Sequence, residues 1–255
     1  MRLYNRSVIV TGSSTGIGKA IAIRCVEEGA NVVITGLEKN DCEEVYKTIG
    51  AEKSTLVIGD VTEEAIQQEI VEAAVKKFGR LDALINNAAW ITSSNIHTTD
   101  DAFLKKVLDI NLVAPLSLIK LALPHLSKSK GCVVNIGSVN AYCGEPNLLA
   151  YSISKGGLMT MSRNLGDTLF RENGVRVNQV NPGWILTERE IIRKREQGMK
   201  ENWYEDLPPE FAPAGRLILP EEIADAVIYF LDGSASGQIL DVAQYPYIGR
   251  NLPKS

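Results

Sequence analysis

The sequence predicts a doubly wound α/β domain, a parallel sheet with helices on both faces. Three observations carry that expectation. Short β-branched runs alternate with longer stretches of helical apolar spacing, a glycine-rich turn joins the first run to the first helix, and polar residues cluster where the runs end. The chain of 255 residues is 45% hydrophobic and 23% charged with 21 Gly, which suits one domain spanning 1–255 with a substantial core.

The first unit is the strand Ser7–Val10, running into Thr11-Gly12-Ser13-Ser14-Thr15-Gly16-Ile17-Gly18 and then the helical pattern Lys19–Val26. Strand, glycine turn and helix make a phosphate cradle. Glycine lets the backbone turn sharply and approach a pyrophosphate, whose charge the unpaired N–H groups of the helix start stabilise. The spacing is G-x-x-x-G-x-G rather than the usual G-x-G-x-x-G fingerprint, so an ordinary strand-to-helix turn stays open as the alternative. Gly29-Ala30 ends this helix. Asn31–Thr35 reads as the second strand, Asp41–Ile49 as a helix, and Thr55–Ile58 as the third strand, ending in Gly59-Asp60-Val61. Helix 63–78 leads to the strand Leu81–Ile85 and then to Asn86-Asn87-Ala88-Ala89. Ligands in such sheets lie beyond the carboxyl ends of the strands, where Gly12, Asp60, Asn86 and Asn87 fall. Asp60 either caps a turn or binds an adenine amino group, and Asn86 can simply satisfy turn backbone.

A long helical stretch, roughly Asp101 to Leu126, holds Asn111 inside an apolar run. A buried Asn needs partners. It either bridges backbone groups or holds a water beside the Lys155 ammonium. The strand Cys132–Ile136 then runs into Gly137-Ser138, from where Ser138 can face the Tyr151 phenol or serve only as a turn residue. Tyr151 and Lys155 lie one helical turn apart on one face, a spacing that amphipathic helices also produce by chance. A phenol with a reference pKa near ~10 is a poor acid or base at neutral pH until a neighbouring cation stabilises the phenolate, and Lys155 is the cation at hand. Between Thr187 and Leu219 the alternation breaks. Glu188–Gln197 is charged and helical, reading as a solvated face, and Trp203-Tyr204 precedes Pro208, Pro209 and Pro213. Trp184, Trp203 and Tyr204 suit pocket and core about equally.

The formal charge of −4 argues against a broad nucleic-acid surface. Met1–Ser7 has no apolar leader pattern and no run approaches the ~20 apolar residues of a spanning helix, so a cytoplasmic chain without a membrane partner is expected. The four cysteines form no C-x-x-C pair and read as reduced packing residues; with only His97 and His125 beside them, no metal site is expected.

Taken together, these motifs resemble the short-chain dehydrogenase/reductase family over nearly the whole chain. Thr11-Gly12-x-x-x-Gly16-x-Gly18 resembles its cofactor loop, Asn86-Asn87-Ala88-Ala89 its N-N-A-G segment, and Asn181-Pro182-Gly183-x-x-x-Thr187 the loop after its sixth strand. Ser138, Tyr151 and Lys155 match its catalytic triplet, with Asn111 as the fourth member. The resemblance implies a Rossmann-like sheet of about seven strands, a nicotinamide cofactor and hydride transfer at a carbonyl or alcohol carbon. It implies Tyr151 as acid/base, Ser138 orienting the oxygen, Lys155 holding the ribose and tuning Tyr151, and Asn111 keeping a proton-relay water. The cofactor set it implies is Gly12, Ser14, Thr15, Gly16, Ile17, Gly18, Gly36, Leu37, Asp60, Val61, Asn87, Ala88, Tyr151, Lys155, Pro182, Gly183, Ile185 and Thr187, with a substrate cover at about 187–219. Two departures stand out: Ala89 replaces the last Gly of N-N-A-G, and Asp241-Val242-Ala243-Gln244-Tyr245 replaces the usual V-D-G-G ending.

Similar family members commonly form tetramers or dimers, and a homo-oligomer is expected here too, because helices Asp101–Leu126 and Ser152–Phe170 carry apolar residues on more than one face. Positions expected to face the substrate are Trp90, Asn140, Tyr142, Glu145, Asn147 and Trp184, a polar lining with aromatic walls that suits a sugar or polyol. An acyl-carrier-protein thioester reductase and a non-catalytic dinucleotide-binding protein are the alternatives. The choice between NAD and NADP leans to NAD. Gly36 stands where NAD users carry Asp, and Thr15 and Leu37 offer no cation. A 2′-phosphate would have to rely on Lys39 or Lys19, with Glu38 repelling it.

Overall fold

The computed structural model describes residues 1–244. In chain order its elements are β1 (Ser7–Val10), α1 (Gly16–Glu27), β2 (Asn31–Gly36), α2 (Lys39–Ile49), β3 (Ser54–Ile58), α3 (Glu64–Phe78) and β4 (Ala83–Asn86). There follow α4 (Asp101–Leu108), a π-helical turn (Asp109–Val113), α5 (Ala114–Ser129), β5 (Cys132–Ile136), α6 (Asn140–Cys143) and α7 (Leu149–Asn173). The chain continues through β6 (Arg176–Pro182), α8 (Glu188–Glu196), a 3₁₀ turn (Trp203–Glu205), α9 (Pro220–Asp232) and β7 (Ile239–Val242). The strands form a seven-stranded sheet in the order β3-β2-β1-β4-β5-β6-β7, parallel at every pairing.

Strand alternation divides the core. Val8 and Val10 of β1 pack with Ile21, Ala22 and Cys25 of α1 and with Ile223, Val227 and Ile228 of α9, while Ile9 between them packs with Ile70 and Ala74 of α3 and Leu118 and Ala122 of α5. The strand order reverses between β1 and β4, which opens a crevice at their carboxyl ends.

Three expectations change, and a fourth is met only in part. The stretch Asp101–Leu126 is not one regular helix but two joined by the π turn that carries Asn111, and it continues to Ser129. By length and composition Asp101–Ser129 is long and apolar enough to cross a membrane, contrary to the sequence reading; it lies along the sheet with Leu118, Ile119, Ala122 and Leu126 buried. Asn181 and Pro182, expected in a loop, are the last two residues of β6. The closing segment keeps its strand as β7, but the reading of Tyr245–Ser255 lies outside the described residues. Cys25, Cys42, Cys132 and Cys143 are free thiols, and the described residues hold no cluster of metal-ligating side chains.

Candidate active site

The crevice is built first from backbone. Gly12 and Gly16 have φ of +62° and +53°, and a Cβ at Gly18 would lie 2.1 Å from the Gly12 carbonyl oxygen, so only glycine lets α1 start this close under the turn. Thr15 stands at the N-cap of α1 without a side-chain bond to the first turn, which leaves N–H groups free for an anion. The β4 end braces this turn: Asn87 Nδ2 donates to the carbonyls of Thr11 (2.9 Å) and Gly12 (3.0 Å), and Thr11 Oγ1 accepts from the N–H groups of Asn87 and Ala88. Asp60 caps its own turn, one oxygen accepting from Thr62 N and Oγ1 at 2.8 Å each, while its other oxygen has no hydrogen-bond partner among the described residues. Val61 is buried, its carbonyl accepting from Gln67 Nε2.

At the end of β2, a Cβ on Gly36 would meet Ser14 Oγ at 2.8 Å and Cys42 Sγ at 2.9 Å. The position that carries Asp in the expected NAD signature is therefore filled by Ser14 and Cys42. Leu37 is exposed. Both lysines considered as phosphate partners face carboxylates, Lys19 with Glu44 at 3.1 Å and Lys39 with Glu43 at 3.7 Å.

The structure brings Asn111, Ser138, Tyr151 and Lys155 together, all buried. Asn111 bridges elements with its side chain: Oδ1 accepts from Trp90 N (2.8 Å), and Nδ2 donates to Trp90 O (3.1 Å) and to Ser154 Oγ (3.0 Å). Ser154 in turn donates to the Tyr151 carbonyl, which ties the π turn to the backbone of α7 at Tyr151. The Asn111 amide thus does the backbone bridging that was one of its two open readings. Ser138 is held from both sides, its N–H donating to Asn181 Oδ1 (3.1 Å) and its hydroxyl accepting from Asn140 N (3.2 Å).

Electrostatics depart from the sequence expectation. Burial pushes the Tyr151 phenol up to about 12, and the adjacent Ser138 hydroxyl and the Arg193 charge draw it back only in part. Lys155 sits 5.6 Å over the Tyr151 ring, donates to the Ile136 carbonyl at 2.7 Å, and is pushed down to about 7 by burial. The cation that lowers the phenol is Arg193 of α8, which the sequence reading left among the solvated residues.

The expected substrate wall assembles only in part. Asn140 and Tyr142 lie on α6 beside Ser138, and the Tyr142 hydroxyl donates to Asp241 at 3.1 Å. Glu145 and Asn147 are exposed on the following loop. Trp90 turns its indole to Phe103 (centroids 5.4 Å apart) and to Lys106 (4.8 Å). Trp184 belongs to a small separate core with Trp203, Ala212 and Leu217, stacked on Trp203 at 5.3 Å. Both indoles are therefore engaged by the protein itself.

The segment 187–219 is anchored at its two ends. Thr187 caps α8 by accepting from Glu190 N, and its methyl lies 3.4 Å from where a Gly16 Cβ would be; Ile185 is buried and bridges to Ile218. Pro182 and Gly183 join this anchor to neighbouring elements, Pro182 O accepting from Val139 N and Gly183 N donating to Val242 O. Missed from sequence is the cluster Trp184, Glu190 and Arg193, whose signal was the three-residue spacing of an acid and a base on a helix one turn after Trp184.

The model of the family described as short chain dehydrogenase matches residues 6–197. The chain is 33% identical to the L-fucose dehydrogenase of Mus musculus over 231 residues, covering 89% of this chain and 82% of that protein. It is 28% identical to the 3-oxoacyl-[acyl-carrier-protein] reductase FabG of Thermotoga maritima over 251 residues, covering 95% of this chain and 98% of that one. A crystal structure of a short-chain dehydrogenase/reductase of Caenorhabditis elegans with cofactor superposes with a TM-score of 0.85 at 32% identity, covering 94% of this chain and 95% of that one.

Proposed function

The chain belongs to the short-chain dehydrogenase family and is an NAD(P)-dependent oxidoreductase; from that premise we propose that Tyr151 is its acid/base and that its substrate is a small polyhydroxylated carbinol or carbonyl. The single observation that carries the reading is the convergence of Asn111, Ser138, Tyr151 and Lys155 in one buried cluster at the carboxyl ends of the strands.

The residues of the crevice fit a dinucleotide: free N–H groups at the start of α1 would meet the pyrophosphate, and Gly18 lets α1 start close under the turn that would hold it. A nicotinamide held there would supply or take the hydride. Ser138 orients the substrate oxygen against the phenol, and its own hydroxyl oxygen is fixed by the Asn140 N–H. With its pKa pushed up to about 12, the Tyr151 phenol stays protonated at neutral pH, ready to donate to an oxygen that gains charge as a carbonyl is reduced. In the oxidative direction the same phenol must first lose its proton, and the Arg193 guanidinium stabilises the phenolate.

For the cofactor we read NAD, because Lys19 and Lys39 already face Glu44 and Glu43 and Leu37 stands where a phosphate-binding Arg would be. The sugar or polyol reading draws on the polar groups of Asn140, Glu145 and Asn147 and on the name of the mouse relative, not on the indoles. Exposed Val113 and Leu116 beside Ile153 and Phe170 of α7 support a homo-oligomer, a tetramer or dimer, which light scattering reads directly.

Tyr151→Phe removes only a hydroxyl. Turnover with a panel of sugars, polyols and acyl thioesters is expected to fall ~100-fold or more, while melting temperature and cofactor affinity hold. A variant that keeps about a tenth of the wild-type rate would overturn the acid/base assignment. In the same assay, more than about tenfold preference for NADP in kcat/KM overturns the NAD reading.

A further inference from the structure

Glu190 and Arg193 form a fork on the inner side of α8. Glu190 Oε1 accepts from Trp184 Nε1 and from Arg193 Nη2 at 2.9 Å each, and Oε2 accepts from Arg193 Nε at 2.9 Å and lies 2.7 Å from Nη2 in the same ion pair. A carboxylate offers about four lone-pair sites, and hydrogen bonds take three of those on Glu190, leaving it little acceptor capacity. The guanidinium does have capacity left: among the described residues Nη1 has no partner, and its two N–H groups remain to donate. A second cation joins the cluster, Lys194 lying 5.3 Å over the Trp184 ring. Trp203, stacked on Trp184, keeps a buried Nε1 donor without a partner among the described residues. The cluster thus carries two cations against one anion, and its unpartnered nitrogen groups among the described residues, Arg193 Nη1 and Trp203 Nε1, are donors.

Its place is set by the fold. α8 starts at Thr187, against Gly16 of the cofactor turn. Arg193 is six residues further on, ~9 Å along the helix axis, and its charge reaches the Tyr151 phenol. The guanidinium is half-buried and Glu190 is nearly covered, with side chains 34% and 12% exposed. A guanidinium edge held in one orientation on the helix that starts against the cofactor turn matches the planar, two-oxygen geometry of a carboxylate better than a neutral hydroxyl.

We propose that Arg193 is the specificity-determining residue of this site and receives a carboxylate of the substrate, which makes the substrate a hydroxylated acid rather than a neutral sugar. This rests on the polyhydroxylated reading above and narrows it. The free Nη1 edge donates to the carboxylate, while Ser138 and Tyr151 hold the oxygen on the reacting carbon. Glu190 and Trp184 act through Arg193 as positioning residues.

The test is binding of matched acid and neutral pairs to the NAD-loaded protein by calorimetry, gluconate against glucitol and lactate against propane-1,2-diol, for the wild type, Arg193→Met and Arg193→Lys. At least one acid is expected to bind about tenfold or more tighter than its neutral partner. Arg193→Met should abolish that preference, and Arg193→Lys should keep part of it through charge without the fork. Because α8 contains no buried residue, these variants should fold, which melting temperature checks. The proposal is overturned if no acid exceeds its neutral partner in the wild type, or if Arg193→Met retains the preference. Turnover of the same panel separates the two readings. Neutral polyols oxidised with acids rejected would leave the polyhydroxylated reading standing and sink the carboxylate. Turnover of acyl thioesters alone would overturn both, whatever the acids bind, because the substrate would then be no hydroxylated acid.

Discussion

The two sides of the catalytic crevice are built by opposite means. On the sheet side, groups are placed by contacts made onto backbone: the Gly18 position lies against the Gly12 carbonyl, and the Asn87 amide ties β4 to the carbonyls of the glycine turn. On the α8 side they are placed by side chains reaching side chains. α8 has no buried residue and rests on the Thr187 cap, the Glu190 fork and a small aromatic core. The lesson is a division of labour. The sheet side tolerates almost no change of shape and carries the part of the reaction that any substrate needs. The α8 side, cheap to open and to rebuild, carries the part that selects one.

Substitutions on each side sharpen the contrast, beginning with the largest effect. Gly18→Ala should be ruinous, because a methyl 2.1 Å from a carbonyl oxygen can be relieved only by moving α1 off the turn. We expect a loss of ~3 kcal/mol or more in stability and of measurable cofactor binding. An unchanged melting curve with intact cofactor titration would break the comparison.

Next comes the buried cation of the sheet side. Lys155 is pushed down to about 7 by burial from an ordinary value of 10.5. Between those values the unfolded chain binds a proton that the native one does not, so this lysine makes native stability rise with pH across that window. Below about 7 both states bind the proton, and the full burial penalty weighs on the native one. Lys155→Met is therefore expected to be inactive yet more stable than wild type near pH 6, the gap closing as pH approaches the ordinary lysine value. Urea midpoints of both proteins across that range read this, and a gap that does not vary with pH would refute it.

The smallest effect on stability belongs to α8. Trp184→Phe keeps a ring to stack on Trp203 but removes the Nε1 donor to Glu190. The fork loses one of its two anchors, so KM should rise several-fold while stability changes by about 1 kcal/mol. A fall in kcat with unchanged KM would place Trp184 in the chemistry instead.

The same division explains what could be read from the chain. A close backbone approach demands glycine, and so Gly12, Gly16 and Gly18 mark the cofactor turn in letters. A phenol and an ammonium one turn apart are likewise visible once a helix is assumed. Arg193 was not legible, because an acid and a base three apart on a charged helix describe any solvated surface pair, and only the packing of Trp184 beneath Glu190 turns that pair inward. Trp90 and Trp184 misled for the converse reason. Aromatic residues near a site suggest walls, yet here Phe103 and Trp203 occupy them. The π turn at Asn111 left no mark in the apolar periodicity, since the residues on either side keep a helical rhythm.

One row of amides running through the sheet bears on how the chain avoids folding wrongly. Asn86 of β4 donates to Asn135 of β5 at 2.9 Å, Asn135 to Ser162 at 2.9 Å, Ser162 to Gln179 of β6 at 2.8 Å, Gln179 to Asn181 at 2.7 Å, and Asn181 to Asp241 of β7 at 2.9 Å. Asn86 and Asn135, Asn135 and Gln179, and Asn181 and Asp241 are also register partners in the strand ladders. Hydrophobic strands of similar length can exchange places or slip with little penalty, because one valine fits a neighbour about as well as the next. Buried amides cannot, since any other strand order or a one-residue slip would strand several of them without partners at ~1–3 kcal/mol each. The row therefore works as a key cut across β4 to β7: it discriminates the correct assembly from its near misses, and Ser138, whose N–H hangs from Asn181, takes its place only when the key has turned.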